Sequence, residues 1–127
     1  WIQDELRTYP QLVVLGDFNI APDDRDVHDP LVWNDDSILT STQERAALKR
    51  LLALGLHDSF RLHCDEAGVF SWWDYRMAGF RRNLGLRIDL VLVSEALKPR
   101  ATASGIEREP RTWERPSDHA PVWVEIG

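Results

Sequence analysis

The chain is poor in sulfur, with Cys64 the single cysteine among 127 residues. One thiol excludes an internal disulfide framework and a cysteine-built zinc site; it fits a reducing cytosol, with a small buried side chain as its plain role. Long apolar runs are missing too. Nothing approaches the ~20 residues needed to cross a bilayer, and no charged segment followed by an apolar one resembles an export signal. A soluble, cytoplasmic protein with no membrane partner is expected. Basic charge is also short: 15 Lys and Arg stand against 21 Asp and Glu, a formal charge of -6. That balance argues against a protein that simply coats nucleic acid, because non-specific affinity comes from neutralising phosphates. An initiator Met is lacking as well. The chain opens on Trp1-Ile2-Gln3-Asp4 and is expected to be cut from something longer.

What is present suffices for one packed core, with 43% of residues hydrophobic and gathered in separate short runs. Charge is unevenly spread. Residues 1 to 66 hold 13 acids and 6 bases, while residues 67 to 127 hold 8 and 9, so the second half is better suited to face phosphates. The acids Asp23, Asp24 and Asp26 read as solvated loop charge.

Residues 1 to 8 have helical spacing and stop at Tyr9-Pro10. Leu12-Val13-Val14-Leu15 predicts a strand buried on both faces. Ile20 to about Leu39, dense in Asp and Pro, predicts a long functional loop. Two overlapping capping boxes, Thr40 with Gln43 and Ser41 with Glu44, precede a helix expected to bury Ala47, Leu48, Leu51, Leu52 and Leu54, with Gly55 at C′. Strands follow at 69 to 73, 86 to 93, 101 to 107 and 122 to 126, with a basic loop from Asp74 to Gly85. Buried strands, one good helix and long loops at strand ends predict a layered α/β sandwich.

Polar clusters stand at the ends of these strands, where loops from a rigid sheet place catalytic groups. In Gly16-Asp17-Phe18-Asn19 a carboxylate reaches the sheet rim, with an amide two residues on. Asp89 interrupts an apolar strand and needs a partner if buried; Arg87 or another neighbour is the structural alternative. Asp118 and His119 adjoin just before the last strand, and a histidine among polar groups is the usual proton handler near neutral pH. Together they supply acids for a divalent cation, an orienter for water and donors for phosphate oxygens, which is phosphodiester chemistry. Hard oxygens without cysteine favour Mg2+, with Mn2+ the alternative, over zinc.

The strings Leu15-Gly16-Asp17-Phe18-Asn19-Ile20, Phe70-Ser71-Trp72-Trp73-Asp74-Tyr75-Arg76, Gly85-Leu86-Arg87-Ile88-Asp89 and Pro116-Ser117-Asp118-His119-Ala120-Pro121-Val122 resemble, in order and spacing, the later motifs of the exonuclease III family of abasic-site endonucleases. Gly55 to Arg61 extends the likeness, which runs over essentially the whole chain. The resemblance implies the DNase I-like fold of the endonuclease/exonuclease/phosphatase superfamily: half of a four-layer α/β sandwich, a mixed sheet with flanking helices. Residues 1-127 would be the carboxyl-terminal portion of that domain, without its amino-terminal half.

By the same likeness, Asp17 positions or deprotonates the attacking water, Asn19 holds it or a phosphate oxygen, and Asp118 lies beside the metal, with Asp17 and Asn19 contributing. His119 stabilises charge on the phosphate, and Asp89 accepts its hydrogen bond and fixes its tautomer. The choice of base between Asp17 and His119 stays open. Trp72, Leu86 and Ile88 match an apolar pocket for the extruded abasic sugar. Arg76, Arg81 and Arg82, with Phe80 among them, would face the phosphate backbone or insert near the lesion, whereas Trp73 and Tyr75 read as core or loop anchors.

The implied activity of the full-length protein is cleavage 5′ to abasic sites, with 3′-phosphodiesterase and 3′ to 5′ exonuclease action on double-stranded DNA, by a nucleoid-associated monomer. The family's metal-binding Glu, amino-terminal Asn and phosphate-contacting Tyr have no match here. The isolated chain is therefore expected to be weak or inactive and, with the inner sheet face bare, to self-associate. The alternatives are another phosphodiesterase or phosphatase of the superfamily, or a non-catalytic DNA-binding half-domain.

Overall fold

The computed structural model of the chain describes residues 1–31, 33, 37–74, 79–112 and 117–127. Its spine is one extended segment, residues 85 to 94, formed by β4 (Gly85–Leu86) and β5 (Asp89–Ser94) with a break at Arg87 and Ile88. That break divides the single strand predicted over 86 to 93. Beyond it, β1 (Val13–Asp17) and β2 (Leu56–Asp58) flank β5 in the order β1-β5-β2. On the near side, β3 (Trp72–Trp73) pairs with β4, and Val27 bridges to Leu86. A separate hairpin joins β6 (Ala101–Ile106) to β7 (Val122–Ile126).

These strands with few helices make the α/β layout the sequence predicts. Where a mixed sheet was expected, every strand pairing among the described residues is antiparallel. The stretch expected to be a long irregular loop is partly sheet-like. The His28 N–H donates to the Gly85 carbonyl at 3.1 Å and the Arg87 N–H to the Asp26 carbonyl at 2.8 Å, so 26–28 runs beside 85–87.

Two helices flank the strands. α1 (Ile2–Thr8) ends at Tyr9, as its sequence predicts. α2 (Thr42–Leu52) is capped by the second of the two predicted boxes. Ser41 Oγ accepts the Glu44 N–H, and the Glu44 carboxylate accepts the Ser41 N–H. Leu48 is buried and packs with Leu56, Leu90 and Leu92, and the half-buried Leu51 and Leu52 join them. Ala47 and Leu54 are exposed, because the buried stripe is narrower than the five residues assigned to it. The C-cap is Ala53, which puts Gly55 (φ 107°) one residue beyond C′.

Strand β1 departs from the expected two-sided burial. Its residues alternate, and Leu15 is 68% exposed while Val14 packs inward against the Leu90 and Leu92 cluster. Among the described residues, only one face of this strand is covered. Among the described residues, no helix is long and apolar enough to cross a membrane.

The polar core is the largest surprise relative to the sequence. Asp26, read as solvated loop charge, is 0% exposed. Its carboxylate accepts from Arg87 Nε at 2.7 Å and Arg61 Nη2 at 2.5 Å. Arg87, itself fully buried, also donates to Asp58 at 2.6 and 3.2 Å, and its guanidinium lies 4.9 Å from the Phe60 ring centre. Burial opposes the Arg87 charge, but Asp58 and Asp26 outweigh it and push the pKa up. Arg87 is therefore committed to these two acids, which leaves Asp89 for another partner.

Candidate functional site

Asp17 is the last residue of β1 and Asp89 the first of β5, and the antiparallel register sets them directly opposite each other. Residues so paired project from the same face of a sheet. Beyond Asp17 the chain turns tightly. The Asn19 N–H donates to Asp17 Oδ1 at 2.9 Å, and Asn19 takes φ 53°, a left-handed conformation that asparagine tolerates well.

The third side chain arrives from the other end of the molecule. Segment 118–120 lies antiparallel to β3: Trp72 and His119 form a bridge, the Trp73 N–H donates to the Asp118 carbonyl at 3.1 Å, and the Ala120 N–H to the Ser71 carbonyl at 2.7 Å. His119 is thereby delivered to the carboxylate pair. Its Nδ1 lies 2.8 Å from Asp89 Oδ2, and its Nε2 is 3.7 Å from Asp17 Oδ2 and 3.8 Å from Asp118 Oδ1. Asp118 is held from behind, where Trp72 Nε1 donates to its Oδ2 at 3.1 Å.

Electrostatics follow from this packing. Burial pushes the Asp89 carboxyl up; hydrogen bonds with His119 and Ser71 pull it down without cancelling the effect, and the nearby Asp17 charge adds to it, so its pKa stays above the ordinary value. Partial burial favours neutral His119, but the hydrogen bond and charge of Asp89, with the charges of Asp118 and Asp17, hold its pKa above the ordinary imidazole value. An imidazolium here has both ring nitrogens as donors, one given to Asp89 and one facing Asp17 and Asp118.

Asp17, Asp89 and His119 each place one ligand atom within 4.8 Å of the others, a spacing compatible with a cation. The expected metal set was Asp118, Asp17 and Asn19. Asp17 belongs to this cluster, Asp118 stands at its edge with one oxygen given to Trp72, and Asn19 meets Asp17 through its backbone. The donors are mostly hard carboxylate oxygens, which suits magnesium or manganese.

The remaining predicted residues lie differently. Leu86 and Ile88 are buried in a cluster with Ala21 and Val27, against which Trp72, Trp33 and Leu39 pack half-buried. Of the expected pocket trio, Trp72 alone keeps appreciable exposure. Phe80 is half-buried edge-on to Trp73, with ring centres 5.0 Å apart, so its ring is engaged in the core. Arg81 and Arg82 are exposed. Trp73 is fully buried, an anchor as expected, whereas Arg76 and Tyr75 lie outside the described residues.

Two residues of the site's support were missed in the sequence. Ser71 is buried, and its Oγ accepts the N–H groups of both Ile88 and Asp89 at 3.0 Å. Asp26 holds Arg87, two residues before Asp89. The signal for Ser71 was a small hydroxyl residue beside two tryptophans in an otherwise apolar strand; for Asp26 it was an acid that closes its own turn, accepting the Asp23 N–H at 3.2 Å.

Comparison with known proteins places this geometry in context. Residues 1–119 match the endonuclease/exonuclease/phosphatase family. Exodeoxyribonuclease III of Haemophilus influenzae is 42% identical over 121 residues, covering 91% of this chain and 45% of that protein. Among solved structures, the 3′ phosphatase NExo from Neisseria, bound to a product DNA hairpin, superposes with a TM-score of 0.96 at 46% identity, covering 99% of this chain and 49% of that one. An AP endonuclease from Archaeoglobus fulgidus gives 0.87 at 31% identity, covering 98% and 50%. The chain spans about half the length of the curated bacterial relatives it matches.

Proposed function

Since the chain belongs to the endonuclease/exonuclease/phosphatase family, we propose that it supplies the carboxyl-terminal part of a metal-dependent DNA repair nuclease: cleavage 5′ to abasic sites, removal of 3′ blocking groups and 3′ to 5′ exonuclease action. The observation that carries this reading is His119 standing between the carboxylates of Asp17, Asp89 and Asp118.

Asp17 and Asp118, flanking His119 Nε2, would hold a divalent cation, Mg2+ with Mn2+ the alternative. When bound, it supplies Lewis-acid polarisation of a phosphoryl oxygen. Asp17 orients the attacking water and accepts its proton, the task its exposed rim position fits. His119, whose acidic surroundings favour the imidazolium, would donate from Nε2 to a non-bridging oxygen and stabilise the charge that develops there. Asp89 holds the ring through Nδ1 and so sets which nitrogen faces the phosphate. Asn19 would hold the attacking water or a phosphate oxygen.

Trp72 offers an apolar surface beside Asp118 for a sugar lacking its base, with Leu86 and Ile88 as the packed wall behind it. Arg76, Arg81 and Arg82 are the candidates for the DNA backbone. Cytoplasmic, nucleoid-associated operation as a monomer belongs to the same proposal.

The test is incision. Duplexes carrying an abasic site, a 3′ phosphate or an undamaged 3′ end are incubated with the 127-residue chain and with the full gene product, with Mg2+, Mn2+ or EDTA. The expected result is EDTA-sensitive cleavage by the full product, strongly reduced in the chain alone. Metal-independent cleavage, or none on any of the three, would refute the reading.

A further inference from the structure

The Asp89–His119 pair has a common support in Ser71, a residue with no role in the chemistry above. A hydroxyl has two acceptor lone pairs and one proton to donate. In Ser71 both acceptor positions are occupied, by the Ile88 and Asp89 N–H groups at 3.0 Å each. The hydroxyl thus ties down the amide of Asp89 itself and that of the residue before it. The backbone of the same residue ties in the other partner: the Ser71 carbonyl accepts the Ala120 N–H at 2.7 Å, one residue from His119, while the Ser71 N–H donates to the Leu86 carbonyl at 3.1 Å. Ser71 is also wholly buried, so water does not compete for these positions.

We propose that Ser71 is a positioning residue: its hydroxyl, by holding the amide of Asp89, and its carbonyl, by holding that of Ala120, keep the Asp89 carboxylate where it receives Nδ1 of His119, and so set the tautomer of that ring. Three chain segments far apart in sequence meet at this one oxygen and the peptide around it. Without the hydroxyl the 88–89 backbone is free to shift, Oδ2 does not stay at 2.8 Å from Nδ1, and the neutral ring divides between its two tautomers.

The consequence for turnover rests on the nuclease reading, but the consequence for the ring does not, so the two are measured separately. Nitrogen-15 NMR of the His119 ring at alkaline pH, where it is neutral, reads the tautomer in the parent protein and in Ser71→Ala, Ser71→Thr and Asp89→Asn. A single Nδ1–H tautomer is expected in the parent. A mixture is expected in Ser71→Ala and Asp89→Asn, with Ser71→Thr restoring the parent spectrum because it retains the hydroxyl. In the full gene product on a cleavable DNA substrate, kcat of Ser71→Ala should fall at least ~10-fold with KM little changed, again restored by threonine.

A folded Ser71→Ala protein with an unchanged His119 tautomer overturns the proposal whatever its turnover, as does threonine behaving like alanine. Should the alanine variant not fold, Ser71→Cys, similar in size with a much weaker acceptor, carries the same measurement. A full gene product without metal-dependent turnover would refute the nuclease reading and leave the ring spectra to decide on Ser71.

Discussion

Replacing Asp26 by alanine tests whether the buried ion network is a structural keystone. In the folded chain two acids, Asp26 and Asp58, balance two arginines, Arg87 and Arg61, in a region where Asp26 and Arg87 are at most 1% exposed. Asp26→Ala removes the 2.7 Å contact to Arg87 and the 2.5 Å contact to Arg61 and leaves one excess buried positive charge. Breaking a buried pair by deleting one partner costs about 3–5 kcal/mol, because the survivor keeps its desolvation penalty. The lost acceptor for the Asp23 N–H adds a smaller cost in the same direction. Against a total stability of roughly 5–15 kcal/mol that is a large fraction. For a domain of this size, the melting temperature should fall by roughly 10–20 °C. Urea denaturation of parent, Asp26→Ala and Asp26→Ala/Arg87→Met is the assay. The double variant should be less destabilised than the sum of its singles, since removing both charges removes the orphan. A loss below about 1 kcal/mol in Asp26→Ala with an unchanged m-value would refute the reasoning.

Two further outcomes follow from the site's geometry. Asp89→Asn should lower the His119 pKa, read by NMR titration, because the largest of the groups raising it is removed. In the parent, stability from the imidazolium is complete below the ordinary histidine value and is lost as pH rises through the raised one. Urea titrations across that window should slope downward in the parent and flatten in Asp89→Asn; an equal slope in both would show that the pairing carries no linkage. Gly85→Ala puts a Cβ 2.6 Å from the Trp72 carbonyl oxygen and 2.6 Å from Trp73 Cδ1. The strand must move, at about 1–3 kcal/mol. Calorimetry should show the lower melting temperature, and an unchanged one would mean that β3 and β4 yield freely there.

Much of this was readable before any coordinates. The helix cap at Ser41 and Glu44 is a local pattern, and local patterns survive folding intact. Asp17, Asp89 and His119 meet because apolar runs plain in the sequence carry them: Asp17 ends β1, His119 stands just before β7, and Asp89, read as interrupting a longer strand, opens β5. The failures share one cause. Whether Asp26 is solvated depends on Arg87, 61 residues away, and whether Leu15 is covered depends on what packs against β1. Neither is encoded in a short window. Ser71 was illegible for the same reason: its hydroxyl acts on residues 17 and 18 positions further on, and nothing nearby in sequence announces them.

The register of β1 against β5 also has a mechanical consequence. Its final rung sets Asp17 opposite Asp89, two like charges where a ladder is stabilised by unlike ones. The sheet is thus primed to part at the end where the candidate site lies and is zipped more firmly along Val13 to Gly16. Whatever positive charge enters between the two acids, a proton on His119 or a cation, closes that last rung. The same charge that would serve the phosphate therefore also rigidifies the floor on which it stands.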